Sequence, residues 1–229
     1  MLPQCSCNFL AELSVILTGR CPLGAGQCRV RAFPLMKPLA YTSPYSWLFW
    51  AVFVFAYAPE FTLVVRSRPA QGEKADRGSM TLIMLAGWIG MMGAFAFAGV
   101  HAFMITREQK AWFAAGLIAL LSGSLLRRHC WRMLGKHFTG DVKASPDQPV
   151  VERGIYRWVR HPSYTGGMLM FMGTGLALTN WLSVVIITLA GAAAYFYRVR
   201  VEEQALQEHL GGRYQEYMRR TKRFVPFVF

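Results

Sequence analysis

Between Met80 and Ile105 the chain runs for 26 residues without an Asp, Glu, Lys or Arg. At about 1.5 Å per residue, a helix of that length crosses the ~30 Å hydrocarbon core of a bilayer with room to tilt. An α-helix satisfies its own backbone hydrogen bonds, so it is the structure such a run can adopt in lipid. Composition agrees, because only 16% of residues are charged, against about 25% in a soluble domain. The expected fold class is all-α, a polytopic membrane helix bundle.

Five apolar segments are read: Tyr45–Val65, Met80–Ile105, Trp112–Leu126, Thr165–Leu178 and Leu182–Tyr197. The first contains Pro59 and Glu60, where a kink or a shallow placement is expected. The third is short for a span. Only Thr179-Asn180-Trp181 separates the last two, which requires an antiparallel helical hairpin. Small residues (Gly87, Gly90, Gly93, Gly99, Gly173, Gly175, Gly191) are assigned to helix-packing faces, since close approach in lipid depends on small side chains.

A net charge of +13 raises a nucleic-acid role. The distribution argues against it: nineteen Lys and Arg fall in 66–79, 127–163 and 198–229, against three (Lys37, Arg107, Lys110) on the opposite side. That asymmetry is the positive-inside pattern and places the C-terminus in the cytoplasm; a bacterial-type inner membrane is expected, with membrane lipids as neighbours. Four of the five cysteines lie in the first 28 residues without metal-ligand or disulfide spacing, so no metal is expected. Met36 begins an ordinary-looking start, and residues 1–35 are read as a dispensable extension. The division is then 1–35, helices 1–3 over 36–126, and a catalytic region over 127–229.

Because the hairpin returns the chain to the side it left, the polar stretches before and after it meet at one membrane face. The preceding loop is long, as functional loops often are. It ends in GIYRWVRHPSYTGG, Gly154–Gly167, with Pro162 placed to open a helix. First-turn N–H groups there are expected to face the loop and favour a negative group. An interfacial aromatic belt, with Tyr156, Trp158 and Tyr164 as anchors, accounts for the composition equally well. After the hairpin, Arg198 and Glu202 share a helix face four residues apart. A carboxylate pair at the membrane edge, Glu202 and Glu203, is costly unless partnered. For Arg198 and Glu202, set opposite the basic-aromatic stretch, a ligand site is favoured over a plain salt bridge.

Taken together, LGKHFTGDV, VVERGIYRWVRHPSYTGG, RVEEQAL and LGGRYQEYMRRTKRFVPF resemble the isoprenylcysteine carboxyl methyltransferase family, and more distantly the phospholipid methyltransferases. The resemblance runs from about Leu134 to Pro226. It implies an integral membrane enzyme with a cytoplasmic site for S-adenosylmethionine and no dinucleotide-type domain. By that resemblance the cofactor is held by Gln148, Pro149, Val150 and Val151, by Tyr156, by His161, Pro162, Ser163 and Tyr164, and by Glu202. Arg198 takes the place linked to the acceptor carboxylate. Arg160, Glu203 and His137 are further candidates, the last two as bases if the acceptor is an amine or thiol. The implied partner is a lipophilic methyl acceptor, and the protein is expected to be a monomer or weak oligomer. The competing readings are phospholipid or amine N-methylation, thiol S-methylation, and a non-enzymatic membrane assembly role.

Overall fold

Six α-helices make up the fold in the computed structural model, which describes residues 37–66, 78–135 and 150–224. They are α1 Tyr45–Arg66, α2 Ser79–Phe97, α3 Gln109–Leu134, α4 Pro162–Ala177, α5 Trp181–Leu210 and α6 Gly212–Arg220. Short 3-10 turns precede α1, join α2 to α3, and cover Gly154–Arg157. The expected extension 1–35 lies outside the described residues, and α3 runs unbroken across the expected boundary at residue 126.

Among the described residues, three helices are long and apolar enough to span a membrane: α2 with 19 residues, α3 with 26 and α5 with 30. The membrane helix bundle expected from sequence is present, while the count of about five spans is not confirmed by length and composition. Helix α4 has only 16 residues, below the usual ~17–25 of a span. Its buried face, including Met170, Phe171, Gly173 and Thr174, lies against protein.

The second segment ends at Phe97 rather than Ile105, for a local reason. Residues 98–105 fold over the turn of the α4–α5 hairpin. Asn180 Nδ2 donates to the carbonyls of Ala98 and Val100 at 3.2 and 3.0 Å, and Ile105 N–H donates to the Thr179 carbonyl at 2.9 Å. Asn180 also caps α5, its side-chain oxygen accepting from Ser183 N–H at 3.2 Å, as a good N-cap does. Thr179 holds the turn at φ +52°, a left-handed conformation that a threonine adopts only under such tethering.

The principal packing pairs are α3 with α4, α2 with α5, α4 with α5 and α1 with α3. The α3–α4 contact is nearly backbone on backbone. A Cβ at Gly116 would stand 2.4 Å from Ala177 N, one at Gly123 2.4 Å from Gly166 O, and one at Gly173 2.5 Å from Leu120 N. Of the expected packing glycines, Gly90 and Gly93 face α5 while Gly99 meets nothing within 4 Å. Gly116, Gly123 and Gly166, which are also in close contact, were not among them.

Candidate active site

Where α4 begins, the chain passes from the 3-10 turn Gly154–Arg157 through Val159 to Pro162. Val159 forms a parallel bridge with Lys222. Around it, Lys222 N–H donates to Trp158 O at 3.0 Å, Arg160 N–H to Lys222 O at 2.7 Å, and His161 N–H to Arg223 O at 3.0 Å. Thr165 Oγ1 adds a bond to Phe224 O at 2.7 Å. The C-terminal segment is thereby laced to the stretch singled out from sequence. The sequence showed that the two polar regions share a face; the strand-like pairing between them had no motif to announce it.

Glu203 sits at the centre of this junction, with 2% of its surface exposed. Burial of a carboxylate is expensive unless it is fully paired, and here two guanidinium groups and an imidazole converge on it. Arg160 Nε lies 2.9 Å from Oε1, His161 Nε2 3.3 Å from Oε1, and Arg223 Nη2 2.8 Å from Oε2. Arg160 Nη1 further donates to Met218 O at 3.0 Å. Arg160 and Glu203 therefore clamp the tail.

Glu202 faces differently. Its side chain is 28% exposed, and its Oε2 accepts from the Tyr164 hydroxyl at 2.7 Å. The same hydroxyl accepts from Arg198 Nε at 3.2 Å. Arg198, itself buried, also donates through Nη1 to Ser79 Oγ at 2.6 Å. So α2, α4 and α5 meet around one guanidinium. The ring of Tyr164 stacks on His161 at 5.7 Å and lies against Tyr195 at 5.2 Å. His161 Nδ1 is 3.9 Å from Glu202 Oε2.

Tyr156 is buried, and its carbonyl accepts from the Tyr217 hydroxyl at 2.6 Å. Val150 packs against the Leu210, Tyr214 and Tyr217 cluster of α5 and α6. Burial pushes the Tyr156, Tyr214 and Tyr217 phenols above their usual range, so all three stay neutral donors at physiological pH. Val151 is half-buried. Gln148, Pro149 and His137 lie outside the described residues.

One expectation is corrected. Two first-turn N–H groups of α4, those of Tyr164 and Thr165, both turn back to the His161 carbonyl at 3.1 and 3.3 Å, and Pro162 has none to offer. These two donors are therefore not open to an anion, and of the first turn only the Ser163 N–H is left outside this pattern. What the helix start also presents is Ser163 Oγ, a buried hydroxyl that has no hydrogen-bond partner among the described residues. Native proteins rarely leave such an atom unsatisfied without a ligand or water to meet it. An orphan hydroxyl, a part-exposed carboxylate and an aromatic wall fit a polar, cationic small molecule.

The fold defines a helical membrane protein with a cluster of polar, charged and aromatic side chains at one end of its bundle. Residues 115–208 match the isoprenylcysteine carboxyl methyltransferase (ICMT) family model. A probable protein-S-isoprenylcysteine O-methyltransferase of Oryza sativa subsp. indica is 26% identical over 187 residues, covering 80% of this chain and 96% of the relative. The protein-S-isoprenylcysteine O-methyltransferase of Saccharomyces cerevisiae is 31% identical over 140 residues, covering 60% of this chain and 59% of its own. A solved structure described as the eukaryotic intramembrane Ras methyltransferase ICMT shares the fold. Its TM-score is 0.54 at 23% identity, covering 83% of this chain and 70% of that one. The family implies a methyl donor.

Proposed function

We propose that the protein is an S-adenosylmethionine-dependent membrane methyltransferase that O-methylates a carboxylate on a lipophilic, isoprenylcysteine-type acceptor. The observation carrying this reading is the Tyr164 hydroxyl bridging Glu202 and Arg198. It sets a part-exposed acid beside a buried guanidinium, as neighbouring sites for a cationic donor and an anionic acceptor require.

When bound, S-adenosylmethionine supplies an electrophilic methyl group on a sulfonium. The chain's task is to position and to exclude water. Glu202 accepts hydrogen bonds from the donor's amino group or ribose hydroxyls. Ser163 Oγ, Tyr156, His161, Pro162 and Tyr164 wall the same site, with Val150 and Val151 beside it. Arg198, held from two sides by Ser79 and Tyr164, orients the acceptor carboxylate by charge-assisted hydrogen bonds.

A carboxylate with a reference pKa of about 3–4 is ionised at neutral pH and needs no base. An amine or thiol acceptor would call for one. Glu203 is already engaged by two arginines and His161, which favours the base-free acceptor. The acceptor's lipid enters between helices, and the donor enters from the cytoplasm, the side that the positive-inside pattern assigns to the C-terminus. The enzyme works as a monomer or weak oligomer.

Calorimetry of the detergent-solubilised, monodisperse protein with S-adenosylmethionine tests the donor assignment. Saturable binding is expected; absence of binding in folded protein contradicts the reading.

A further inference from the structure

Glu60 and Arg127 lie far from the motifs that define the site. Glu60 falls sixteenth in the 22 residues of α1, and Arg127 nineteenth in the 26 of α3. Both therefore sit toward the same end of the bundle as Pro162. Arg127 Nε meets Glu60 Oε1 at 2.5 Å and Arg127 Nη2 meets Glu60 Oε2 at 2.6 Å, a fork-on-carboxylate pair. The third edge of the guanidinium, Nη1, donates to the Ser163 carbonyl at 3.0 Å. Gly166 makes room for this: a Cβ there would stand 2.8 Å from Arg127 Cγ.

A largely buried ion pair in a membrane helix bundle, its side chains here 11% and 23% exposed, is a poor way to gain stability, since apolar residues of the same volume serve at least as well. Ionisable groups in such segments more often serve function. The one bond this pair sends outward ends on Ser163, whose own buried hydroxyl has no partner among the described residues. Fixing the Ser163 peptide plane fixes the direction of its Cα–Cβ bond, and so the aim of that hydroxyl.

We infer that Glu60 and Arg127 form a positioning pair for the donor site: Glu60 orients Arg127, and Arg127 holds the Ser163 peptide so that its hydroxyl points at the methyl donor. This rests on the donor site proposed above. It gives α1, which contributes none of the motif residues, a direct part in setting that site.

The test compares Glu60→Gln, Arg127→Lys and the double variant Glu60→Gln/Arg127→Met in the full-length protein. Three quantities are read: S-adenosylmethionine affinity by calorimetry, thermal unfolding, and amide hydrogen exchange of 161–165 without ligand. Glu60→Gln leaves the Arg127 charge without its carboxylate partner, so it is expected to unfold at lower temperature. The double variant removes both charges and is expected to unfold near wild type. Its donor affinity is expected to fall about tenfold or more, the usual weight of a hydrogen bond to a charged group, while the 161–165 amides exchange faster. Arg127→Lys cannot hold both partners in one fork and is expected to lose affinity likewise. A folded double variant with wild-type affinity and wild-type exchange overturns the inference and leaves the pair a structural one. Should wild type bind no S-adenosylmethionine, the donor reading fails instead. The exchange comparison then decides alone: faster exchange in the double variant upholds the pair's hold on the segment, and unchanged exchange removes it.

Discussion

The Tyr164 hydroxyl donates to Glu202 Oε2 at 2.7 Å while accepting from Arg198 Nε at 3.2 Å. One oxygen thus aligns an acid that faces outward and a guanidinium that is buried. Removing that oxygen alone leaves both charges in place but uncoupled. Tyr164→Phe is expected to weaken S-adenosylmethionine binding and to raise the KM for the acceptor, each by about tenfold, since hydrogen bonds to charged groups contribute about 1.5–3 kcal/mol. Calorimetry and steady-state kinetics separate the two effects.

Glu202 and Arg198 are expected to divide their duties. Glu202→Ala should weaken donor binding, whereas Arg198→Ala should leave donor binding largely intact and slow transfer to a carboxylate. Equal donor affinity in wild type and Glu202→Ala contradicts the first assignment, and normal turnover by Arg198→Ala contradicts the second.

Glu203 should behave as a structural residue. Its two oxygens are taken by Arg160, His161 and Arg223, and breaking one side of a buried pair costs about 3–5 kcal/mol. Glu203→Gln is expected to lower the thermal midpoint in detergent markedly. A variant with a wild-type midpoint and lost turnover would make it a catalytic group instead.

The glycine contact between α3 and α4 gives a test of packing. Gly123→Ala places a methyl group 2.4 Å from the Gly166 carbonyl oxygen, and overpacking of this kind costs about 1–3 kcal/mol. Gly99→Ala, with nothing within 4 Å, is the control and should unfold like wild type.

How far the sequence could be read follows from where its signals were local. The long apolar runs placed the starts of α1 to α5 within a few residues but not the ends of α2, α3 and α5, which lie at Phe97, Leu134 and Leu210; the short break Thr179-Asn180-Trp181 marked the hairpin turn, where Asn180 caps the next helix. The motif Gly154–Gly167 and the pair Arg198, Glu202 were found because each is contiguous or helically spaced. What stayed hidden was long-range. No pattern announced that residues 222–224 pair with 158–165, or that Glu60 reaches Arg127 across α1 and α3. Likewise Glu202 and Glu203 are adjacent in sequence, yet helical geometry points one outward and buries the other. The break at Phe97 escaped notice because hydropathy continues to Ile105 while the backbone turns to meet Thr179 and Asn180.

The most direct test of the central claim incubates the purified protein with methyl-labelled S-adenosylmethionine and a prenylated cysteine acceptor, then treats the product with base. A carboxyl methyl ester releases its label as volatile methanol, and the account predicts that most transferred label is lost this way. Label that stays with the product after base, as on an amine or thioether, contradicts carboxyl methylation; no transfer at all by protein that binds the donor contradicts the acceptor class.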